Sequence, residues 1–239
     1  MAQKKIGACL VCGEPLVYYE TAREMTCVYC GRPFPSNAAC EAGHFVCDAC
    51  HSRKAVENIL AYCGSCESRD PIAIARALMA DPFVHMHGPE HHVLVGAALL
   101  TAWHNSSGQG DFPAALAELA RRGEQVPGGA CGFWGCCGAA VSAGIFFSVA
   151  AGATPLAGES WGLANRATAA ALQAIGDIGG PRCCKRDSFT AIRQAAELCR
   201  RELGVAMDLP ERVVCGFFPQ NRECLGRRCP YHPAEKKQD

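Results

Sequence analysis

Residues 70–79 read DPIAIARALM, and the punctuation of this stretch recurs through the middle of the chain. Asp70 is suited to cap a helix N-terminus, Pro71 fits a first turn where no intrahelical N–H is needed, and the helix runs to Met79. Gly88-Pro89 opens another helix, to about Trp103. Asp111 and Pro113 open a third, which Gly123 ends. A fourth runs from about Gly135 to Ala151, and a fifth from about Ser160 to Ile175, closed by Gly179 and Gly180. Asp187 or Ser188 caps a sixth that ends at Gly204. Few segments alternate with period two and no solenoid repeat is present, so the expected fold class is mainly α.

Working outward, the chain divides into three zones. Residues 1–68 form a cysteine-rich module, 69–208 an α-helical domain, and 209–239 return to short cysteine spacings as a C-terminal knuckle. The 239 residues are 49% hydrophobic and 19% charged, enough apolar material for a core. Net charge is +0, which supplies no bulk attraction to nucleic acid or acidic lipid. The chain holds 18 cysteines. The start, MAQKKIGACLVCGEPL, has no apolar signal-peptide core, and many cysteines fall as Cys-x-x-Cys pairs. The expected setting is a reducing cytoplasm, with thiolates held by metals or used in redox chemistry. Between Glu124 and Glu159 no residue is charged. That run has no aromatic belt or Lys/Arg asymmetry and reads as a buried core helix rather than a membrane span.

The N-terminal motifs are Cys9-x-x-Cys12-Gly13 and Cys27-x-x-Cys30-Gly31, each a knuckle that turns two thiolates onto one ion. Together they resemble a zinc ribbon. A denser group follows: Cys40, His44, Cys47, Cys50, His51, Cys63 and Cys66. In the favoured ribbon scheme Cys9, Cys12, Cys27 and Cys30 hold one zinc and Cys47, Cys50, Cys63 and Cys66 a second. A cross-brace competes with it, with Cys27, Cys30, Cys47 and Cys50 on one ion and Cys40, His44, Cys63 and Cys66 on the other. Residues 43–50, GHFVCDAC, look like the heart of a RING finger, a resemblance that implies recruitment of a ubiquitin-conjugating enzyme. Two zinc ions are common to both schemes.

Residues 85–92 read HMHGPEHH. His87, Glu90 and His91 are candidates for a metal site with room for water, or for acid–base chemistry. Gly135, Gly138, Ala139 and Ser142 leave one helix face almost bare, open to close approach. Cys131, Cys136 and Cys137 precede that helix, and Cys183 and Cys184 precede another, flanked by Arg182, Lys185 and Arg186. Helix N-termini and cations both lower thiol pKa, so these five thiols are expected to converge as a catalytic or cluster-binding site. Cys199 lies on the apolar stripe of Phe189, Ile192, Ala196 and Leu203 and reads as a small core residue.

Cys131, Gly135-Cys136, Ala139-Ala140, Gly144, Cys184 and Cys199 resemble the C-GCAxxG-C-C family of redox proteins from anaerobes, with Cys137 departing from its motif. That resemblance covers about residues 128–204 and implies an iron–sulfur cluster or a dithiol. The order of knuckles, HGPEHH, GFWG, GGPRCCKR and terminal cysteines is similar to a domain family of methanogens and anaerobic bacteria. Some of its relatives carry methyltransferase names, implying a redox or methyl-transfer protein partner. Cys215, Cys224, Cys229 and His232 resemble a Cys-Cys-Cys-His zinc finger, whose kind binds single-stranded RNA by stacking. Three cysteines ending in Cys-Pro are also an iron–sulfur pattern completed by a cysteine from elsewhere, while the favoured reading, given zero net charge, is a structural zinc with no nucleic-acid role. The expected function is metal binding with structural zinc and a redox thiol site. The rival is a zinc-finger module for protein or RNA, and a methyltransferase-associated enzyme is a third reading.

Overall fold

A computed structural model describes residues 9–234; the N-terminal octet used to argue against a signal peptide lies outside the described residues. The element order is β1 (Leu16–Thr26), β2 (Pro33–Cys40), then α1 (Asp48–Ser65), α2 (Pro71–Met79), α3 (His91–Ser107), α4 (Phe112–Gly123), α5 (Ala130–Phe133), α6 (Gly138–Ala150), α7 (Glu159–Ile178) and α8 (Cys184–Glu202). Two 3-10 turns, Phe218–Gln220 and Gly226–Arg228, follow in the C-terminal segment. The fold is mainly α.

α3 is the axis of the body. Val93 to Leu100 are buried on every side of it, the mark of a helix enclosed by others. It packs against α1, α2, α4, α6 and α8. Burial of Leu94, Leu99 and Leu100 contributes roughly 1.5–3 kcal/mol each. The bare face of α6 is used as its composition suggests. Ser142 Oγ accepts the Gly96 N–H at 2.9 Å, and a Cβ on Gly144 would stand 1.9 Å from Thr168 Oγ1 of α7. Among the described residues no helix is long and apolar enough to cross a membrane.

Most helix starts match their sequence signals. The Asp70 carboxylate accepts from Ile72 N and Ala73 N, and Asp111 caps α4. Two expectations are corrected. α8 begins at Cys184 with Cys183 as its N-cap, so Asp187 sits inside the first turn. The cysteine-rich zone also holds an 18-residue helix, α1, which buries Ser52, Ala55, Val56, Ile59 and Cys63 on one face.

The hairpin β1–β2 is antiparallel, with a break in register between Tyr18 and Arg23. Leu16, Val17 and Tyr18 are exposed, and the buried apolar residues from position 9 to 47 are Cys9, Cys27, Ala39, Cys40 and Cys47. All but Ala39 are cysteines, so the interior of this module is built from sulfur.

Candidate metal centres

Each N-terminal knuckle closes the same way. Gly13 N donates to Cys9 O and Gly31 N to Cys27 O, both at 2.9 Å, and both glycines have φ near +70° (77° and 69°), where a side chain would be strained. The knuckles do not share an ion. Cys9, Cys12, Cys40 and His44 bring one ligand atom each within 4.8 Å of one another, and Cys27, Cys30, Cys47 and Cys50 do the same. The ligand pairs therefore interleave: first with third, second with fourth. This corrects the ribbon partition and half of the cross-brace read from sequence. Cys63 is buried in α1, its thiol pushed up to about 12 by burial, and Cys66 caps that helix; neither joins a group.

The separations fit single ions. Cys12 and Cys40 sulfurs are 3.7 Å apart, those of Cys30 and Cys47 are 3.8 Å apart, and Cys40 Sγ lies 3.5 Å from His44 Nδ1. Four thiolates about 2.3 Å from a tetrahedral ion stand about 3.8 Å from each other. In each group some of the sulfurs are favoured as anions: Cys27 and Cys30 in one, Cys40 in the other. Against the upward push of burial, N–H groups of Cys47, Cys30 and Tyr29 bring Cys27 down to about 6. Cys40 falls to about 7, where the His44 N–H and the Cys12 and Cys9 thiols outweigh burial. Cys47 is pushed up to about 12 by burial, with neighbouring thiols adding to it.

The histidine segment rearranges the expected set. His87 turns away, its Nε2 3.0 Å from Glu223 Oε2 in the C-terminal segment. His91 is buried, held down to about 3 by burial, with Nδ1 3.1 Å from Gly88 O. Glu90 is wholly buried and meets His51 and His85 instead. His51 follows Cys50 directly, and its helical register against the loop at 85–90 carries no sequence signal.

No three of the five thiols of the helical domain come within 4.8 Å of one another, although Cys131 and Cys184 both lie near Cys137. Cys137 Sγ donates to Asp187 Oδ2 at 3.9 Å, and Cys183 N donates to the same oxygen at 3.4 Å. Cys184 packs beneath Gly88, near Glu90 and Cys137. Cys131 and Cys136 lie on the half-exposed loop around α5. Cys137, Cys183 and Cys184 are raised, not lowered as the helix N-termini and flanking cations suggested. Burial, then Asp187, pushes Cys137 up to about 12, and burial takes Cys183 to about 11. The cations are engaged elsewhere: Arg182 with the Tyr18 hydroxyl, Lys185 Nζ with His85 O at 2.8 Å, Arg186 Nε with Asp187 Oδ1 at 2.9 Å. Cys199 is fully buried among core residues, as its stripe implied.

Cys183 faces the C-terminal knuckle. With Cys215, Cys224 and Cys229 it lines a small pocket of about 10 Å³, together with Arg186 and His232. No three of these sulfurs come within the 4.8 Å that marks the N-terminal groups. Backbone N–H groups donate to them: Arg186 N to Cys183 at 3.5 Å, Phe217 N to Cys215 at 3.3 Å and Gly226 N to Cys224 at 3.4 Å. N–H groups of Tyr231 and His232 serve Cys229, opposing the upward push of burial. The knuckle is fastened to α8 by the Tyr231 hydroxyl, 3.0 Å from Thr190 Oγ1.

Fold and sites describe a mainly helical protein whose cysteine groups can hold metal ions. The chain belongs to a family of unknown function (DUF5714), whose profile matches residues 59–232. No curated protein and no solved structure matches the chain.

Proposed function

We propose that this chain is an electron-carrying metalloprotein in which two structural zinc ions brace the hairpin and a four-cysteine iron–sulfur cluster sits between α8 and the C-terminal knuckle. The cavity ringed by Cys183, Cys215, Cys224 and Cys229 carries this reading. A single zinc ion would draw four sulfurs to about 3.8 Å from one another. A cubane cluster puts each thiolate on its own iron and so calls for sulfurs set farther apart, and no three of these four come within 4.8 Å of one another. Hydrogen bonds from backbone N–H to ligand sulfur are one of the means by which proteins tune such clusters. Buried Arg186 and Lys185 offset part of the negative charge that four thiolates bring.

A cluster held by Cys183, Cys215, Cys224 and Cys229 would supply one-electron transfer from a reduced protein partner to an acceptor, with no bond made in the protein. Zinc in the N-terminal groups is redox-silent and closed by four protein ligands, so its binding free energy supports folding. A second reading is favoured by one observation: His232 lines the same cavity, and Cys215, Cys224, Cys229 and His232 would then hold a zinc ion in an RNA-binding finger.

Anaerobic expression of the full chain decides between them. The cluster reading expects a brown protein with about four irons and four sulfides per chain, visible absorption that dithionite bleaches, and a paramagnetic signal on reduction. A colourless protein with zinc alone and salt-sensitive RNA binding would overturn it.

A further inference from the structure

We propose that His51, His85 and Glu90 form a third metal site, free of sulfur, that holds a divalent transition ion and leaves it a position open to water or a small oxygen-donor ligand. The three side chains come from different elements: the first turns of α1, the loop before α3, and the N-cap of α3. Each offers a ligand atom, and all three atoms lie within 4.8 Å of one another.

The separations are those of a coordination sphere rather than of hydrogen bonds. His51 Nδ1 lies 3.5 Å from Glu90 Oε2, and His85 Nδ1 lies 3.4 Å from Glu90 Oε1. Ligands about 2.1 Å from a tetrahedral ion stand about 3.4 Å apart. An imidazolium paired with a carboxylate closes to about 2.8 Å instead. Nδ1 of both histidines and Oε2 of Glu90 are buried without a hydrogen-bond partner, although Glu90 is 0% exposed. A buried carboxylate oxygen and two imidazole nitrogens, mutually oriented and all unsatisfied, are costly unless something between them accepts their lone pairs. The two rings are tilted by 53° with centroids 4.5 Å apart, so stacking does not account for the arrangement.

The surroundings hold the donors in place. His85 N donates to Glu90 Oε1 at 2.8 Å, and Lys185 Nζ donates to His85 O. A Cβ on Gly88 would stand 2.1 Å from Glu90 Oε2, so only glycine leaves room for this carboxylate. Outer contacts of this kind fix ligand orientation. The His51 and His85 side chains are 20% and 21% exposed while their Nδ1 atoms are buried, which sets the donors just beneath the surface. Two imidazoles and one carboxylate with an open position are donors suited to zinc or ferrous iron and to ligand exchange. The site does not depend on the cluster reading, because it shares no ligand with the Cys183 cavity.

The experiment counts metals and labile sulfide per chain in anaerobically purified full-length protein. His51→Gln and His85→Gln are each expected to remove one ion, the double variant no more than one, and none of them to change sulfide. His87→Gln, whose partner is Glu223, keeps the full count. Loaded with cobalt(II), wild type minus His51→Gln should give a difference spectrum without thiolate-to-metal charge transfer. A full metal count in either single variant, additive losses in the double variant, or thiolate bands in the difference spectrum would each overturn the site. His51 is partly exposed on a helix surface, so its variant should fold, which circular dichroism checks.

Discussion

The hairpin module and the C-terminal knuckle both depend on cysteine, yet they set their sulfurs at different spacings. In the hairpin, Cys12 and Cys40, and Cys30 and Cys47, close to 3.7 and 3.8 Å, and almost nothing else is buried. In the knuckle no three sulfurs come within 4.8 Å, and one of the four that line its pocket, Cys183, is the N-cap of α8, some thirty residues upstream. The hairpin therefore has almost no interior beyond these candidate ligands. The knuckle keeps Val213 and Tyr231 packed on the helical core whatever the cavity holds. The largest predicted effect tests this contrast. Structural zinc contributes about 10 kcal/mol or more to small sites. Stripping metal with a strong chelator, or substituting Cys27→Ser, should unfold residues 9–47 while the helical body persists. Hydrogen exchange would show amides of β1 and β2 fully exchanging and those of α3 still protected; protection retained in the hairpin would remove the contrast.

Adjacent cysteines sharpen it next. Cys183 lines the knuckle cavity, whereas Cys184 packs beneath Gly88. Cys183→Ser should abolish most visible absorption and labile sulfide, and Cys184→Ser should leave both near wild type. Equal losses in the two variants would mean the cavity is not what holds the chromophore.

Much of the body was legible because its signals are local. Asp70-Pro71 and Asp111 with Pro113 mark helix starts through contacts within four residues, and the caps form as those residues suggest. α1 was hidden because residues that read as ligands occupy its two ends, Cys50 and His51 in the first turn and Cys63 in the last. The metal partition was not legible for a related reason. Two identical Cys-x-x-Cys-Gly turns look like partners, but the hairpin folds each toward a later pair, and only the strand register decides that. His51 was grouped with the N-terminal cysteines, and Cys183 with the thiols of the helical domain. Their roles are set by long-range packing that spacing does not encode.

A third test compares thiols in the body with those in the module. Cys63 and Cys199 are both pushed up to about 12 by burial. A thiol raised in the folded state stabilises below its unfolded value of 9.0 and loses that contribution as pH climbs toward 12. Denaturation midpoints should therefore fall between pH 9 and 12, with a shallower slope in Cys199→Ala. Native Cys199 should resist alkylation at neutral pH. A midpoint independent of pH over that window would show that these thiols do not ionise with unfolding.

The smallest effect concerns how closely α3 and α6 meet. A Cβ on Gly138 would stand 2.2 Å from the His92 ring, whose Nδ1 lies 2.9 Å from Val126 O. Gly138→Ala must therefore shift His92 or part the helices, at a cost of about 1–3 kcal/mol. Because alanine is the better helix former, by about 1 kcal/mol, the net loss in thermal stability should be modest. The informative readout is where it falls. If exchange of α3 and α6 amides speeds up while the hairpin is unchanged, the two regions are stabilised independently, one by packing and the other by metal. If hairpin amides respond as strongly, α1 transmits strain from the core into the cysteine module, and the separation argued from sulfur spacing fails.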